Sequence, residues 1–168
     1  MKKIIFTVCF LFIPVLCSAI TAPTSQPQPN MIDEGKPYLT QSQEAKWTQL
    51  TGRWFGSELT KTGGKVMWIA ERRNDGTYRI QFRIIDISGK KQEKIEMGEW
   101  GVSGDIYFTT YKADLVGDKV VPVDPTDPYN RDAYRILKLT NETFEYISVD
   151  SSNKWTVRKV PADFKFPE

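Results

Sequence analysis

The sequence predicts an all-β protein, an antiparallel up-and-down β-barrel of about eight or nine strands preceded by one short helix. Three observations predict it. Past Gly52 the chain runs in short segments rich in β-branched and aromatic residues. Turn residues such as Asn74-Asp75-Gly76 and Ser103-Gly104-Asp105 separate these segments at fairly even intervals. No stretch between them is long enough for a crossover helix, so successive strands are expected to be antiparallel neighbours. The 168 residues amount to one domain, with a core large enough to fold without disulfides or metal.

Residues 1–19 read as a signal peptide: Lys2 and Lys3 precede an apolar run from position 4 to 16, which ends in Cys17-Ser18-Ala19. The run is shorter than the ~20 apolar residues a membrane-spanning helix needs, and no second run follows, so no transmembrane segment is expected. Cleavage after Ala19 removes two lysines and no acid, leaving basic and acidic residues equal in number. It also removes Cys9 and Cys17, the two cysteines of the chain. Lipidation of Cys17 is an alternative, weakened by Pro14-Val15-Leu16, which lacks a small residue beside the cysteine. The expected address is export, to the periplasm or beyond, from a bacterial cell.

Residues 20–40, rich in Pro, Ser, Thr and Gln, carry too little apolar surface to offset ordering entropy and read as a flexible segment. The barrel domain occupies residues 41–168. Its helix is expected over 42–50, capped by Ser42, with Ala45, Trp47 and Leu50 on the apolar side. Strands are expected over 53–59, 65–72, 77–86, 92–102, 105–112, 118–123, 133–139, 143–149 and 155–160. The clearest is 77–84, where Tyr78, Ile80, Phe82 and Ile84 share one face and Thr77, Arg79, Gln81 and Arg83 the other. Such a meander either closes into an up-and-down barrel or stacks as a sandwich, and closure is favoured because it leaves no long edge unpaired. Residues 120–132 break the rhythm with Pro122, Pro125 and Pro128, which cannot donate to a ladder, and read as a loop over one barrel mouth.

Four pieces in this order resemble the lipocalin-like, calycin-type secreted β-barrels: Leu50-Thr51-Gly52-Arg53-Trp54, Asn74-Asp75-Gly76-Thr77-Tyr78, Gly98 to Ile106, and Tyr134-Arg135-Ile136-Leu137-Lys138-Leu139. The resemblance covers about residues 50–160. It implies a barrel with one closed and one open end, often holding an apolar ligand. It also implies a structural plug, with Arg158 of the last strand packed over Trp54 of the first. The chain departs from the larger lipocalins in lacking their long C-terminal helix and their disulfides.

The absence of histidine and of mature cysteine excludes Ser-His-Asp and Cys-His nucleophiles and the common zinc sites. No cofactor is expected. Glu96, Glu99 and Asp105 lie close in sequence, but as a catalytic carboxylate pair they weigh less than as outward strand and turn residues. Asp124, Asp127, Asn130 and Asp132 offer oxygen ligands, yet lack the glycine and terminal glutamate of the twelve-residue calcium loop, so no metal is assigned. Balanced charge gives nucleic-acid binding little support. Arg72-Arg73 and Lys90-Lys91 flank hairpin turns and could form a patch for anionic lipid head groups at one barrel end.

The reading that follows is a monomeric, non-enzymatic binder of a small apolar or amphipathic molecule, held in an aromatic-lined barrel. The expected lining is Trp68, Tyr78, Ile80, Phe82, Trp100 and Tyr134, with the register of 105–112 ambiguous. The alternative is a barrel filled by its own side chains, acting on another protein or on lipid head groups through its loops, above all 120–132.

Overall fold

A computed structural model describes residues 41–168 of the chain. The expected signal peptide (1–19) and flexible segment (20–40) lie outside the described residues. Helix α1 (Gln41–Leu50) leads into nine strands: β1 (Gly52–Leu59), β2 (Lys65–Arg72), β3 (Thr77–Ile85), β4 (Lys91–Ser103), β5 (Ile106–Val116), β6 (Lys119–Pro122), β7 (Arg131–Leu139), β8 (Thr143–Ser148) and β9 (Lys154–Val160). Eight close into one antiparallel barrel. Each pairs with the next, β5 passes over β6 to β7, and β9 returns to β1. Strand β6 hangs on β5 as a short hairpin within the strand expected over 118–123, with Pro122 at its end.

The hairpins form where the turn chemistry directs. In the β2–β3 turn, Asp75 Oδ1 accepts hydrogen bonds from the Thr77 amide (2.9 Å) and hydroxyl (2.7 Å). Gly76 takes a positive φ of 82° there, a conformation that costs glycine little. In the β3–β4 turn Asp86 does the same for Ser88 and Lys90. These two turns lie at opposite ends of β3, a nine-residue strand of about 30 Å. The Arg72-Arg73 and Lys90-Lys91 pairs therefore cannot make one head-group patch. Arg72 moreover faces inward and is 3% exposed, while Arg73 faces out and pairs with Glu71.

Helix α1 closes one end. It reaches the β2–β3 turn through Trp47 beside Gly76, the β4–β5 turn through Lys46 Nζ on the Gly104 carbonyl (2.5 Å), and the β7–β8 turn through Gln49 on Asn141 (3.5 Å). Beneath it the core is aromatic. Leu50, Trp54 and Phe144 are fully buried, and Trp54 Nε1 donates to the Leu50 carbonyl at 2.8 Å. Trp54 meets Phe144 edge-on at 6.0 Å, and Phe144 stacks on Tyr146 at 4.5 Å.

The plug differs from expectation in its basic residue. Residues directly opposed across an antiparallel pair share a face, and Trp54 opposes Lys159 while Phe55 opposes Arg158. Lys159 therefore turns inward, its ammonium 5.2 Å from the Trp54 ring centre and 3.1 Å from the Gln49 carbonyl. Burial pulls the Lys159 pKa down. Arg158 points outward, over Phe55 (5.1 Å) and Phe164 (4.9 Å).

The outer face of β1–β3 carries a second apolar layer absent from the sequence reading. The C-terminal residues double back along it. Phe164 and Phe166 lie 5.1 and 6.5 Å from Phe55, and Arg83 sits 4.7 Å over Phe166. Ile69, 4% exposed though it faces away from the barrel interior, lies in the recess they wall off.

Candidate functional site

The inward face of each strand was decided by alternation and by two register shifts. On β2 the inward set is Val66, Trp68, Ala70 and Arg72, opposed across β3 by Ile84, Phe82, Ile80 and Tyr78. Opposite the Met97–Gly98 step β5 carries one extra residue, Lys112, so the alternation of β4 runs unbroken, with Glu96, Gly98 and Trp100 inward. Gly98 is required there, because a Cβ would stand 2.0 Å from the Thr110 carbonyl oxygen and 2.8 Å from the Tyr78 ring. On β5 the pairing of Tyr107 with Tyr134 settles the ambiguous register: Tyr107, Thr109 and Tyr111 point in.

These faces enclose a cavity of about 280 Å³. Its wall comprises Trp68, Ala70 and Arg72 from β2, Tyr78, Ile80 and Phe82 from β3, and Glu96 from β4. Tyr107, Thr109 and Tyr111 from β5, Asp132 and Tyr134 from β7, and Tyr146 from β8 complete it. Tyr129, 90% exposed on the loop between β6 and β7, stands at the rim, which puts that loop at the mouth. A second space of about 240 Å³ shares Trp68, Ile80, Phe82, Tyr134 and Tyr146 and adds Glu58, Val66 and Trp155.

Five of the six residues expected to line an interior space are on this wall: Trp68, Tyr78, Ile80, Phe82 and Tyr134. Trp100 is not. It belongs to the closed end, stacked on Trp47 with centroids 4.2 Å apart, its Nε1 donating to the Arg73 carbonyl at 3.0 Å. Sequence reasoning missed the polar half of the wall. Arg72 continues the Val66-Trp68-Ala70 alternation, which was the signal for its facing inward, but its neighbour Arg73 made the pair read as a surface charge. Glu96 was expected outward and instead faces the cavity.

Arg72 lies on the floor. Its Nε donates to the Tyr107 hydroxyl at 3.0 Å, and its guanidinium carbon sits 4.7 Å from the Tyr107 ring centre and 5.4 Å from that of Phe144. Its Nη1 is buried without a hydrogen-bond partner, and the side chain forms no ion pair among the described residues. The acids stand higher. Glu96 pairs with Lys94 at 2.9 Å, and Lys94 also approaches Asp114 at 3.4 Å. Burial disfavours the Lys94 charge, but the Glu96 carboxylate beside it more than offsets this, and its pKa is raised. Desolvation raises Asp132 above the usual carboxylate range, opposed in part by a hydrogen bond with Tyr134. Burial also pushes the phenols of Tyr78, Tyr134 and Tyr146 well up, so they remain neutral hydrogen-bonding groups.

The other acids are occupied elsewhere. Glu99 faces out to Lys112 at 3.3 Å, and Asp105 in the β4–β5 turn pairs with Arg135 at 3.0 Å, so neither joins Glu96. Asp124 accepts hydrogen bonds from Thr126, and Asp127 caps the turn at Pro128–Asn130. Among the described residues no three Asp, Glu, Cys or His side chains form a group that could hold a metal ion.

An eight-stranded antiparallel barrel, wound in chain order, plugged at one end and hollow above the plug, is lipocalin-like in fold. Among solved structures the chain is similar to a lipocalin-like protein from Bacteroides uniformis, at 14% identity over 67% of this chain and 99% of that one, with a TM-score of 0.42. No protein-family model matches the chain, and no curated protein does.

Proposed function

We propose that the protein is an exported, non-enzymatic carrier or receptor that binds one small amphipathic molecule inside the barrel. The observation that carries this reading is the cavity of about 280 Å³, continued by the second space. Small-molecule sites run from about 300 to 1,000 Å³, so the two together suit a compact ligand. Aromatic rings would bury the apolar body, and neutral phenols with Thr109 would meet its polar groups. A hollow interior favours this reading over a barrel filled by its own side chains. Export rests on the leader-like residues 1–19, and the non-enzymatic assignment on the lack of histidine and of cysteine beyond that leader.

The test uses the neutral, polarity-sensitive dye 6-propionyl-2-dimethylaminonaphthalene. Saturable one-to-one binding with blue-shifted emission is expected, and it should be abolished by Ile80→Trp, which fills the cavity from the middle of β3. Uptake that never saturates, or that survives Ile80→Trp in a folded protein, would place the dye outside the barrel and sink the reading.

A further inference from the structure

The floor of the cavity holds a cation that the protein's own side chains leave incompletely matched. Arg72 is 3% exposed and keeps Nη1 without an acceptor. A buried charge without a partner is costly, and stacking on the Tyr107 and Phe144 rings recovers only part of that cost. The Tyr107 hydroxyl is spent as acceptor for Arg72 Nε, which fixes the guanidinium in place in the cavity wall. The acids of the wall do not answer it: Arg72 forms no ion pair among the described residues, and Glu96 is paired with Lys94.

Resting on the binding function proposed above, we infer that the ligand is a monocarboxylate with an apolar body, bound carboxylate inward against Arg72. The surroundings limit the ligand's charge. Glu58, Glu96 and Asp132 line the two spaces, and Lys94 near the mouth is already shared between Glu96 and Asp114. A second negative charge on the ligand would meet these carboxylates with no free cation beside them. A single charge is carried past them to the floor, and the rest of the molecule lies among Trp68, Ile80, Phe82 and Tyr134.

The test compares 2-naphthoate with its neutral isostere 2-naphthamide at pH 7.5, by calorimetry or displacement of the neutral dye. Native protein should bind 2-naphthoate at least tenfold more tightly than the amide, the scale of one charge-assisted hydrogen bond. That ratio should collapse to within about twofold in Arg72→Met and fall partway in Arg72→Lys, which keeps the charge but loses the planar fork. Should the variants not fold, the Nε–H resonance of Arg72 in native protein supplies a second readout: it should shift with 2-naphthoate and stay with the amide. An amide bound as tightly as the acid overturns the inference, as does an unmoved Arg72 resonance under saturating 2-naphthoate. So does failure of both naphthalenes to bind a protein that takes up the dye. Failure of the dye itself counts instead against the binding function.

Discussion

The indole of Trp47 lies 4.2 Å from that of Trp100, planes 25° apart, so helix α1 is pinned to the inward face of β4 by one stacked pair. Trp100 is fixed in turn by its Nε1 on the Arg73 carbonyl and by its amide on that of Gly76, at 2.7 Å. One contact thus joins the helix, the β2–β3 turn and the end of β4, and through them the closed end of the barrel.

Trp47→Ala removes the stack and exposes the Trp100 face. It should lower stability by about 2–3 kcal/mol, from lost apolar burial plus the ring pairing. Urea denaturation followed by tryptophan emission checks this, and a loss below about 0.5 kcal/mol would mean that the helix does not plug the barrel.

Gly56 on β1 faces the interior, where an added Cβ would stand 2.2 Å from the Trp68 ring and 2.8 Å from Val157 Cγ1. Gly56→Ala must therefore push Trp68 toward the cavity. The expected cost is about 1–3 kcal/mol from overpacking, accompanied by weaker dye binding. Equal dye affinity in the variant would show that Trp68 is not part of the binding wall.

The C-terminal residues act on the outer face alone. Replacing Phe164 and Phe166 together by Ala should cost about 1–3 kcal/mol, because both rings are only partly buried. Neither ring touches the cavity, so thermal denaturation should move while the dye titration stays the same.

Glu93 accepts two hydrogen bonds from Arg83, at 2.9 and 2.8 Å, and this holds its carboxyl below the ordinary 4.5. A depressed acid stabilises the fold above its unfolded value, and that contribution is lost as pH falls through the folded value. Glu93→Gln should therefore flatten the decline in melting temperature on acidification from pH 5 toward 3, and leave the trend from pH 6 to 8 unaltered. Its side chain is 45% exposed, so the effect is small. An unchanged acid limb would remove the pair from the stability balance.

The all-β class, the hairpin turns and the wall positions on β3 were legible because they are local. Turn residues act within four positions, and strict alternation along Tyr78, Ile80 and Phe82 leaves one choice of face. On β2 the same reasoning falters. Met67 and Ile69 are as buried as Trp68 and Ala70, and at Ile69 the C-terminal residues supply the outer face with a cover of its own. An apolar run buried on both sides does not say which side is the interior.

Sequence alone determined that this chain is a meander of amphipathic hairpins, with aromatic rings sufficient for a barrel core. Tertiary structure decided what lies within reach of what. The pairing of β9 with β1 put Lys159, not Arg158, against Trp54. Ring closure carried Arg72 from an apparent surface pair to the cavity floor beside Tyr107, 35 residues away. Both outcomes follow from register between strands distant in sequence. A shift of one residue exchanges the inner and outer faces, and only the closed set of pairings removes that freedom.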